Sequence, residues 1–261
     1  MVAHEMDVTG EYAASHGTVG RIFEEALQRA DAVVCQHADQ VRMIRMRYGR
    51  EPRLIRSLCP FPVSACSGAA RATILWVARV ESWKQPDLFL DLASRMPEHT
   101  FVMVGAASQI EPYNLSRLSA RASDLPNLRF LAGVPFAHTS ALFEEAKIFV
   151  NTSMAEGFPN TFLQAAACGT PTVSWGVNPE GLLDKYEMGY CADGNWARFE
   201  GYVRLLCEDA ALRGRMGENA RRYVTEHHSP AVIAREFGDL CLALGNKRKV
   251  AALQAQSVPT T

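Results

Sequence analysis

The chain has 261 residues, of which 48% are hydrophobic and 21% charged, and this composition excludes wholesale disorder. The 27 Lys and Arg residues nearly balance the 28 Asp and Glu residues, so the formal net charge is −1. This balance gives no general electrostatic reason to expect nucleic acid or an anionic membrane as the partner. The length suits one large domain or two small ones.

Cysteine usage and hydropathy indicate the compartment. The seven cysteines are scattered, odd in number and contain no Cys-x-x-Cys pair, which favours reduced thiols over disulfides or a zinc site. The longest uncharged stretch, 157–179, contains three Gly and three Pro and so predicts no membrane-spanning helix. The N-terminus shows no secretory signal, and we therefore expect a cytoplasmic protein.

The first seventy residues predict only a few elements. Residues 1–16 show no periodicity and are interpreted as a loose terminus. An amphipathic helix from Val19 then leads to a short strand at 32–35, a helix at 39–48 and a short strand at 52–57. The uncharged segment 57–70, with its two prolines, indicates an inter-domain linker.

Strands and helices alternate beyond this linker. Strands are predicted at 73–78, 100–104, 128–131, 147–150 and 171–175, the second of them ended by Gly105. Helices are predicted after Pro86 and at 112–123, 140–146, 160–168 and through most of 196–244. This alternation predicts an α/β fold with a doubly wound, Rossmann-like parallel sheet of about six strands.

The domain prediction follows from the strand count. Residues 1–62 supply too few strands for a domain of this kind and are interpreted as the end of another one. We predict a linker at 63–71, one complete α/β domain at 72–245, and a loose tail at 246–261, where the periodicity is lost.

Two cations follow the first strand of the complete domain. Arg79 and Lys84 stand on the segment that enters the next helix, and ligands of open α/β sheets bind at the carboxyl ends of the strands. Two positive charges beside a helix N-terminus suit a diphosphate. The alternative is that both are solvated surface charges.

A second polar loop follows the strand that ends near Asn151. Gly157 allows a ligand to approach the backbone closely, and the helix that begins at Asn160 offers unpaired N–H groups to an anion. Glu156 and Gln164 are suited to accept hydrogen bonds from hydroxyl groups. The alternative is that Glu156 only supports the loop and that Gln164 is an ordinary helix residue.

A third strand-to-loop corner lies at 131–138. Gly133 and Val134 are suited to shape an apolar slot for a flat ring, which backbone groups would recognise. His138 stands alone and is interpreted as structural.

The string EGFPNTFLQAAACGTP, which begins at Glu156, resembles the signature of retaining glycosyltransferases of the GT-B fold, family 4. The segments VARVESWKQPDLFLDLA and LRFLAGVPFAHTSALFEEAKIFVNTS resemble the stretches that precede this signature in that family, in the right order. RADAVVCQHADQVRMIRMRYG resembles the end of the family's N-terminal domain. Together the resemblance covers nearly residues 17–244.

The resemblance implies roles for matching residues. Arg79 and Lys84 would bind the nucleotide diphosphate and stabilise its charge as it leaves, and Glu156 would bind hydroxyls of the donor sugar. Backbone N–H groups around Phe158 to Thr161 would hold the phosphates, and the donor-binding residues of this segment are Gly157, Phe158, Pro159, Asn160 and Thr161.

Two positions depart from the family pattern. Gln164 replaces the second acidic residue, which usually binds the ribose, so that contact would lack charge assistance. Gln85 stands where Gly commonly follows Lys in the family, and Pro86 comes next.

The resemblance implies transfer of a sugar, with retention, from a nucleotide-diphosphate sugar to a glycan or lipid-linked acceptor. No cofactor or metal is expected, and a lipid-linked acceptor would entail peripheral membrane association. Only the last part of the family's N-terminal domain is matched, so a catalytically incomplete nucleotide-sugar-binding module, or a separate chain that supplies the other half, is the alternative. A nicotinamide-dependent oxidoreductase would need a Gly-x-Gly-x-x-Gly loop after the first strand, and ARVESWK stands there instead.

Overall fold

The computed structural model describes residues 6–63, 71–108 and 115–256, with Met6 and residues 247–256 described by the backbone alone. The predicted linker at 63–71 therefore lies almost wholly outside the described residues. The chain divides into two compact units, one made of the residues up to Leu58 and from His227 onward, the other of Cys59–Glu226.

The first unit combines both ends of the chain. Its two short parallel strands are β1 (Val34–Cys35) and β2 (Arg53–Leu54). Its helices are α1 (Met6–Thr9), α2 (Glu11–Ser15), α3 (Gly17–Arg29), α4 (Ala38–Tyr48) and the last helix of the chain, Pro230–Gln256. Ile233 of that last helix packs with Val34 and Ile55, so it belongs to this unit and not to the predicted domain 72–245.

The described parts of the two chain ends are more regular than predicted, and residues 1–5 and 257–261 lie outside the described residues. The N-terminal segment forms α1 and α2 where a loose terminus is predicted, and the backbone is helical to Gln256 where a loose tail is predicted to start at residue 246. Short helices such as α1 and α2 depend on tertiary packing, and Val8 of α1 is fully buried beside Ile44 of α4.

The second unit is built on one parallel sheet of six strands. These are β3 (Thr73–Val80), β4 (Thr100–Ala107), β5 (Leu128–Ala132), β6 (Ala146–Asn151), β7 (Thr172–Ser174) and β8 (Gly189–Cys191). They lie in the order β5-β4-β3-β6-β7-β8, and every neighbouring pair is parallel. The predicted α/β class with a doubly wound Rossmann-like sheet is confirmed.

Helices cover both faces of this sheet. They are α5 (Pro86–Arg95), α6 (Leu115–Ser123), α7 (Phe136–Glu145), α8 (Asn160–Ala167), α9 (Leu182–Lys185), α10 (Trp196–Glu208) and α11 (Ala210–His227). Successive residues of a strand face opposite sides, so Ile74 and Trp76 of β3 pack in one core cluster and Leu75 in the other. Because both faces are covered, the central strands β3, β4 and β6 contain continuous buried apolar runs and not an alternation of apolar and polar residues.

Two strands are longer than predicted. β3 runs to Val80, so Arg79 is a strand residue and not a loop residue. β4 continues through Gly105, which was predicted to end it. A Cβ at Gly105 would lie 2.8 Å from Cγ2 of Val80, so this glycine allows close approach inside the sheet.

Candidate active site

The predicted cations and the polar loop meet at the centre of the sheet. The chain leaves β3 toward one edge and returns to β6 on the other side, so β3 and β6 flank the point where the strand order reverses. Ligands of doubly wound folds bind at the carboxyl ends of such strands. A cavity of about 250 Å³ lies there, lined by Val77, Ala78, Arg79, Lys84, Asn151, Glu156, Phe158, Pro159, Asn160 and Thr161.

Lys84 and Glu156 form an ion pair in this cavity. Lys84 Nζ donates to Glu156 Oε1, and both side chains are largely buried, with 14% and 16% of their surface exposed. Ser153 Oγ donates to the same carboxylate oxygen at 2.7 Å. A lysine and a glutamate separated by 72 positions in the chain therefore present one coupled charge pair in the free protein.

Hydrogen bonds between the two loops hold Lys84 in place. Lys84 ends a 3₁₀ turn, Ser82–Lys84, and its carbonyl oxygen accepts from Thr152 Oγ1 at 2.5 Å. Trp76 Nε1 donates to the same hydroxyl at 2.8 Å, and Met154 N donates to Trp83 O at 2.8 Å. These bonds join the segment after β3 to the segment after β6, so the cation and the carboxylate are positioned by one network.

Gln85 explains how the chain turns from Lys84 into α5. Its backbone is left-handed, with φ 45° and ψ 55°, a conformation that glycine adopts at little cost and other residues rarely adopt. Pro86 then occupies the first turn of α5, where its missing N–H leaves no hydrogen bond unmade. The departure from the family pattern at residue 85 therefore keeps the geometry that a glycine would provide.

The N-terminus of α8 faces the same cavity. Its N-cap residue is Pro159, which offers no side-chain acceptor, and the N–H groups of Asn160 and Thr161 have no acceptor among the described residues. Unpaired N–H groups at a helix start carry partial positive charge and bind anions. Lys84, Arg79 and this helix end thus bring hydrogen-bond donors to one small cavity, where the carboxylates of Glu156 and Glu81 offset the two side-chain charges.

The other end of α8 is stabilised by two arginines. Arg71 and Arg221 both donate to the carbonyl oxygen of Cys168, and Arg71 also donates to Gly169 O at 3.1 Å. Cations at a helix C-terminus complement its partial negative charge and satisfy carbonyl groups that the helix leaves unpaired.

Arg79 lies at the rim of the cavity. Its side chain is 55% exposed, and its Nε lies 3.5 Å from Oε1 of the fully buried Glu81. The two cations predicted for the site therefore differ in environment. Arg79 is exposed at the rim of the cavity, and Lys84 is largely buried in the ion pair with Glu156.

Four predicted site residues do not line this cavity. Gly157 belongs to the loop before α8, and Gln164 is a buried residue of α8 with 6% exposure. Gly133 and Val134 follow β5, two strands away from β3, which corresponds to about 10 Å across the sheet. Their roles toward a ribose or a base stay predictions.

Sequence reasoning missed the polar run at the end of β6. Asn151 Oδ1 accepts from Ser153 N at 3.1 Å, Thr152 binds the Lys84 carbonyl, and Ser153 binds Glu156. These three consecutive residues also lie at the carboxyl end of a strand, where ligands of open α/β sheets bind, so their position was a usable signal. The buried Glu81 was also missed.

A larger cavity of about 940 Å³ lies elsewhere in the second unit. Its lining includes Asp184, Tyr190, Arg215 and Glu218. It adjoins the edge strand β8 and α11 and contains none of the predicted site residues, so we assign the chemistry to the smaller cavity.

A doubly wound parallel domain with cations and an open helix N-terminus at its strand reversal has the geometry typical of nucleotide-binding domains. The chain belongs to the glycosyl transferases group 1 family, whose sequence profile matches residues 68–223.

Curated relatives agree with this assignment. A D-inositol 3-phosphate glycosyltransferase of Geodermatophilus obscurus is 30% identical over 179 residues, which cover 59% of this chain and 40% of the relative. The enzyme of the same name from Mycobacterium bovis is 27% identical over 228 residues, which cover 78% of this chain and 46% of the relative. The chain thus spans less than half the length of these relatives.

Solved structures share the fold at low sequence identity. Sucrose-phosphate synthase from Thermosynechococcus elongatus superposes with a TM-score of 0.74 at 20% identity, covering 92% of this chain and 66% of that one. Anabaena HepE, solved with UDP and glucose, gives 0.69 at 17% identity, covering 90% and 70%. Among the described helices, none combines the length and apolar character that a membrane crossing requires.

Proposed function

We propose that the Cys59–Glu226 unit binds a nucleotide-diphosphate sugar, and that the protein transfers the sugar with retention, as in family 4 of the GT-B glycosyltransferases. The observation that carries this proposal is the convergence of Arg79, Lys84 and the open N-terminus of α8 on one cavity. A diphosphate satisfies all three features at once, because it accepts hydrogen bonds and carries negative charge.

The proposed roles follow from the geometry. The N–H groups of Asn160 and Thr161 would hold phosphate oxygens, and Arg79 and Lys84 would stabilise the charge of the leaving diphosphate without a metal ion or cofactor. Glu156 would accept hydrogen bonds from the sugar hydroxyls.

The nucleoside would extend along the carboxyl edge of the sheet. Gln164 would reach the ribose, and Gly133 and Val134 would border the base beyond β4. The structure separates these residues from the diphosphate cavity, which suits a ligand longer than a diphosphate.

The reaction would proceed by front-face attack of the acceptor, aided by the leaving diphosphate. That mechanism requires the acceptor to be held in position next to the sugar. We propose a glycan or lipid-linked acceptor, a cytoplasmic location with peripheral membrane association where the acceptor is a lipid, and no role for nucleic acid.

A second candidate is a nucleotide-sugar-binding module without transfer activity. The observation that favours it is that every residue lining the candidate cavity comes from the Cys59–Glu226 unit, so this unit would bind the donor with its own residues. An activity assay distinguishes the two candidates, because only a transferase would transfer or hydrolyse the sugar of a donor that it binds.

The donor site is tested by Lys84→Ala with UDP and GDP as probes. We expect the variant to lose about 1.5–3 kcal/mol of binding free energy, because a charged hydrogen bond to the diphosphate is removed. Isothermal titration calorimetry measures this loss as a roughly 10- to 150-fold weaker affinity.

The matched control is Lys185→Ala. Lys185 is exposed and lies over the Tyr186 ring, away from the cavity, so its removal should leave the affinity unchanged. Equal affinities of the Lys84 variant and the parent protein would refute the proposed diphosphate site.

A further inference from the structure

Glu81 is a fully buried carboxylate beside the candidate site. None of its side-chain surface is exposed, although charged residues are almost never fully buried without a partner. It directly follows β3, two positions after Arg79, so both side chains lie on the same side of the extended chain.

Only one oxygen of this carboxylate is engaged. Oε1 accepts a hydrogen bond from Ser108 Oγ at 2.6 Å and lies 3.5 Å from Arg79 Nε. Oε2 is buried, and within residues 6–63, 71–108 and 115–246 it has no hydrogen-bond partner. An apolar side chain at this position would avoid the cost of desolvating a charge, so fold stability alone does not account for a glutamate here.

Arg79 forms an ion pair with this carboxylate through one nitrogen, at 3.5 Å. Its Nε faces Glu81, while its two terminal amino groups make no ion pair or hydrogen bond with any residue that the structure describes. A guanidinium is planar and offers its donors in a fixed fork, so a carboxylate close to Nε restricts the plane in which the other donors point. The side chain is 55% exposed, and without this anchor it would sample many rotamers.

We propose that Glu81 is a positioning residue for the donor site: its buried carboxylate, held by Ser108, fixes the Arg79 guanidinium so that the terminal amino groups face the cavity. This inference rests on the proposed function, because it assigns Arg79 to the diphosphate. Glu81 does not touch the ligand and acts only through Arg79.

A double-mutant cycle with UDP as the probe tests the proposal. Glu81→Leu removes the anchor with a side chain of similar size, and we expect about tenfold weaker UDP binding by calorimetry. The same substitution in an Arg79→Ala background should change the affinity less than about twofold, because no guanidinium is left to orient.

Comparing the stability of Glu81→Leu with its affinity for UDP distinguishes a positioning role from a purely structural role. Replacing a buried charge by an apolar residue often leaves a fold equally stable or more stable, so we expect the urea midpoint of Glu81→Leu to stay or rise while affinity falls. Glu81→Gln keeps an acceptor oxygen without the charge, so its affinity for UDP should lie between those of the parent protein and Glu81→Leu. If the leucine variant does not fold, Glu81→Gln takes its place in the double-mutant cycle.

Nuclear magnetic resonance of the arginine side chains tests the anchor without ligand. The Nε–H group of Arg79, assigned with Arg79→Lys, should show restricted motion by ¹⁵N relaxation in the parent protein and faster motion in the Glu81 variants. UDP binding that is unchanged in Glu81→Leu, or equally weakened with and without Arg79, would overturn the positioning role while the proposed function stands. A parent protein that binds neither UDP nor GDP would refute the proposed function and this inference together.

Discussion

Lys84 is paired with Glu156 before any ligand arrives, and this changes what each residue contributes to binding. A diphosphate that binds Lys84 competes with the carboxylate for the same ammonium group. Under the proposed function, the carboxylate would keep its hydrogen bond from Ser153 and would become available to the sugar hydroxyls. Under the proposed function, the loss of the Lys84–Glu156 ion pair would therefore offset part of the favourable binding free energy between Lys84 and the ligand.

Glu156→Gln should separate the two parts of the donor. We expect UDP to bind several-fold more tightly, because Lys84 loses its internal partner and a largely buried cation gains most from the diphosphate. UDP-glucose should gain less or bind more weakly, because an amide replaces the carboxylate that accepts hydrogen bonds from the sugar. Calorimetry with both ligands gives the ratio of affinities that decides the assignment.

Ser153→Ala is the matched control for this substitution. It removes one donor to Glu156 and leaves both charges in place, so its effect on either ligand should be smaller. If Glu156→Gln shifts the affinities for UDP and UDP-glucose equally, Glu156 does not contact the sugar.

At the scale of the element, α11 contains two glycines in different surroundings. A Cβ at Gly217 would lie 2.4 Å from the backbone carbonyl oxygen of Gly169, whereas a Cβ at Gly214 would have nothing within 4 Å. Gly217 therefore allows α11 to approach the turn that follows α8, while Gly214 is only a weak helix residue.

This pair gives opposite predictions for the same substitution. Gly214→Ala should raise the free energy of unfolding by about 0.5–1 kcal/mol, the helix-propensity gain over glycine. Gly217→Ala should lower it by about 1–3 kcal/mol, because backbone atoms of Gly169 have to move and the site helix α8 precedes them directly. Urea unfolding of both variants measures the difference, and two substitutions of the same sign would contradict the close packing at Gly169.

Elements with strong local patterns could be predicted from the sequence. The apolar strands at 73, 100, 128 and 147 and the helix start at Asn160 agree with the structure. β8 was missed because it begins at Gly189, a residue that is rare in strands, and only Tyr190 and Cys191 supply an apolar pattern.

The arrangement around the site was only partly predictable. Arg79, Lys84 and Glu156 could be predicted as site residues because they lie at or after the ends of predicted strands, and parallel strands bring their carboxyl ends to one edge of the sheet. The ion pair of Lys84 with Glu156 and the burial of Glu81 depend on the three-dimensional packing of loops after β3, β4 and β6, and no local pattern in the sequence carries that information.

At the scale of the whole molecule, buried thiols couple stability to pH. Burial raises the pKa of Cys168 to about 12, and the pKa values of Cys35 and Cys191 to about 11, from an ordinary value of 9.0. The unfolded chain thus loses these protons at lower pH than the folded chain does. The contribution of the thiols to stability is complete below about pH 9 and is lost as the pH rises toward 11 and 12.

We therefore expect the free energy of unfolding to fall from about pH 8.5 upward, by at most about 1.4 kcal/mol per pH unit for each buried thiol. Urea titrations in reducing buffer up to about pH 10 measure this slope. Cys168→Ala should reduce the slope, and Cys241→Ala, at an exposed position, should not. Identical slopes in all three proteins would show that Cys168 does not contribute.

The 72 positions between Lys84 and Glu156 have a consequence for folding. β4 and β5 both lie between the two residues in the chain, so the cavity is completed only by long-range contacts, which form slowly, and partly folded forms lack it. A nucleotide that occupies the cavity selects the native state, and at a hundred times its dissociation constant it adds about 2.7 kcal/mol to the stability. Under the proposed function, the persistence of this protein in a cell would then follow the supply of its own donor.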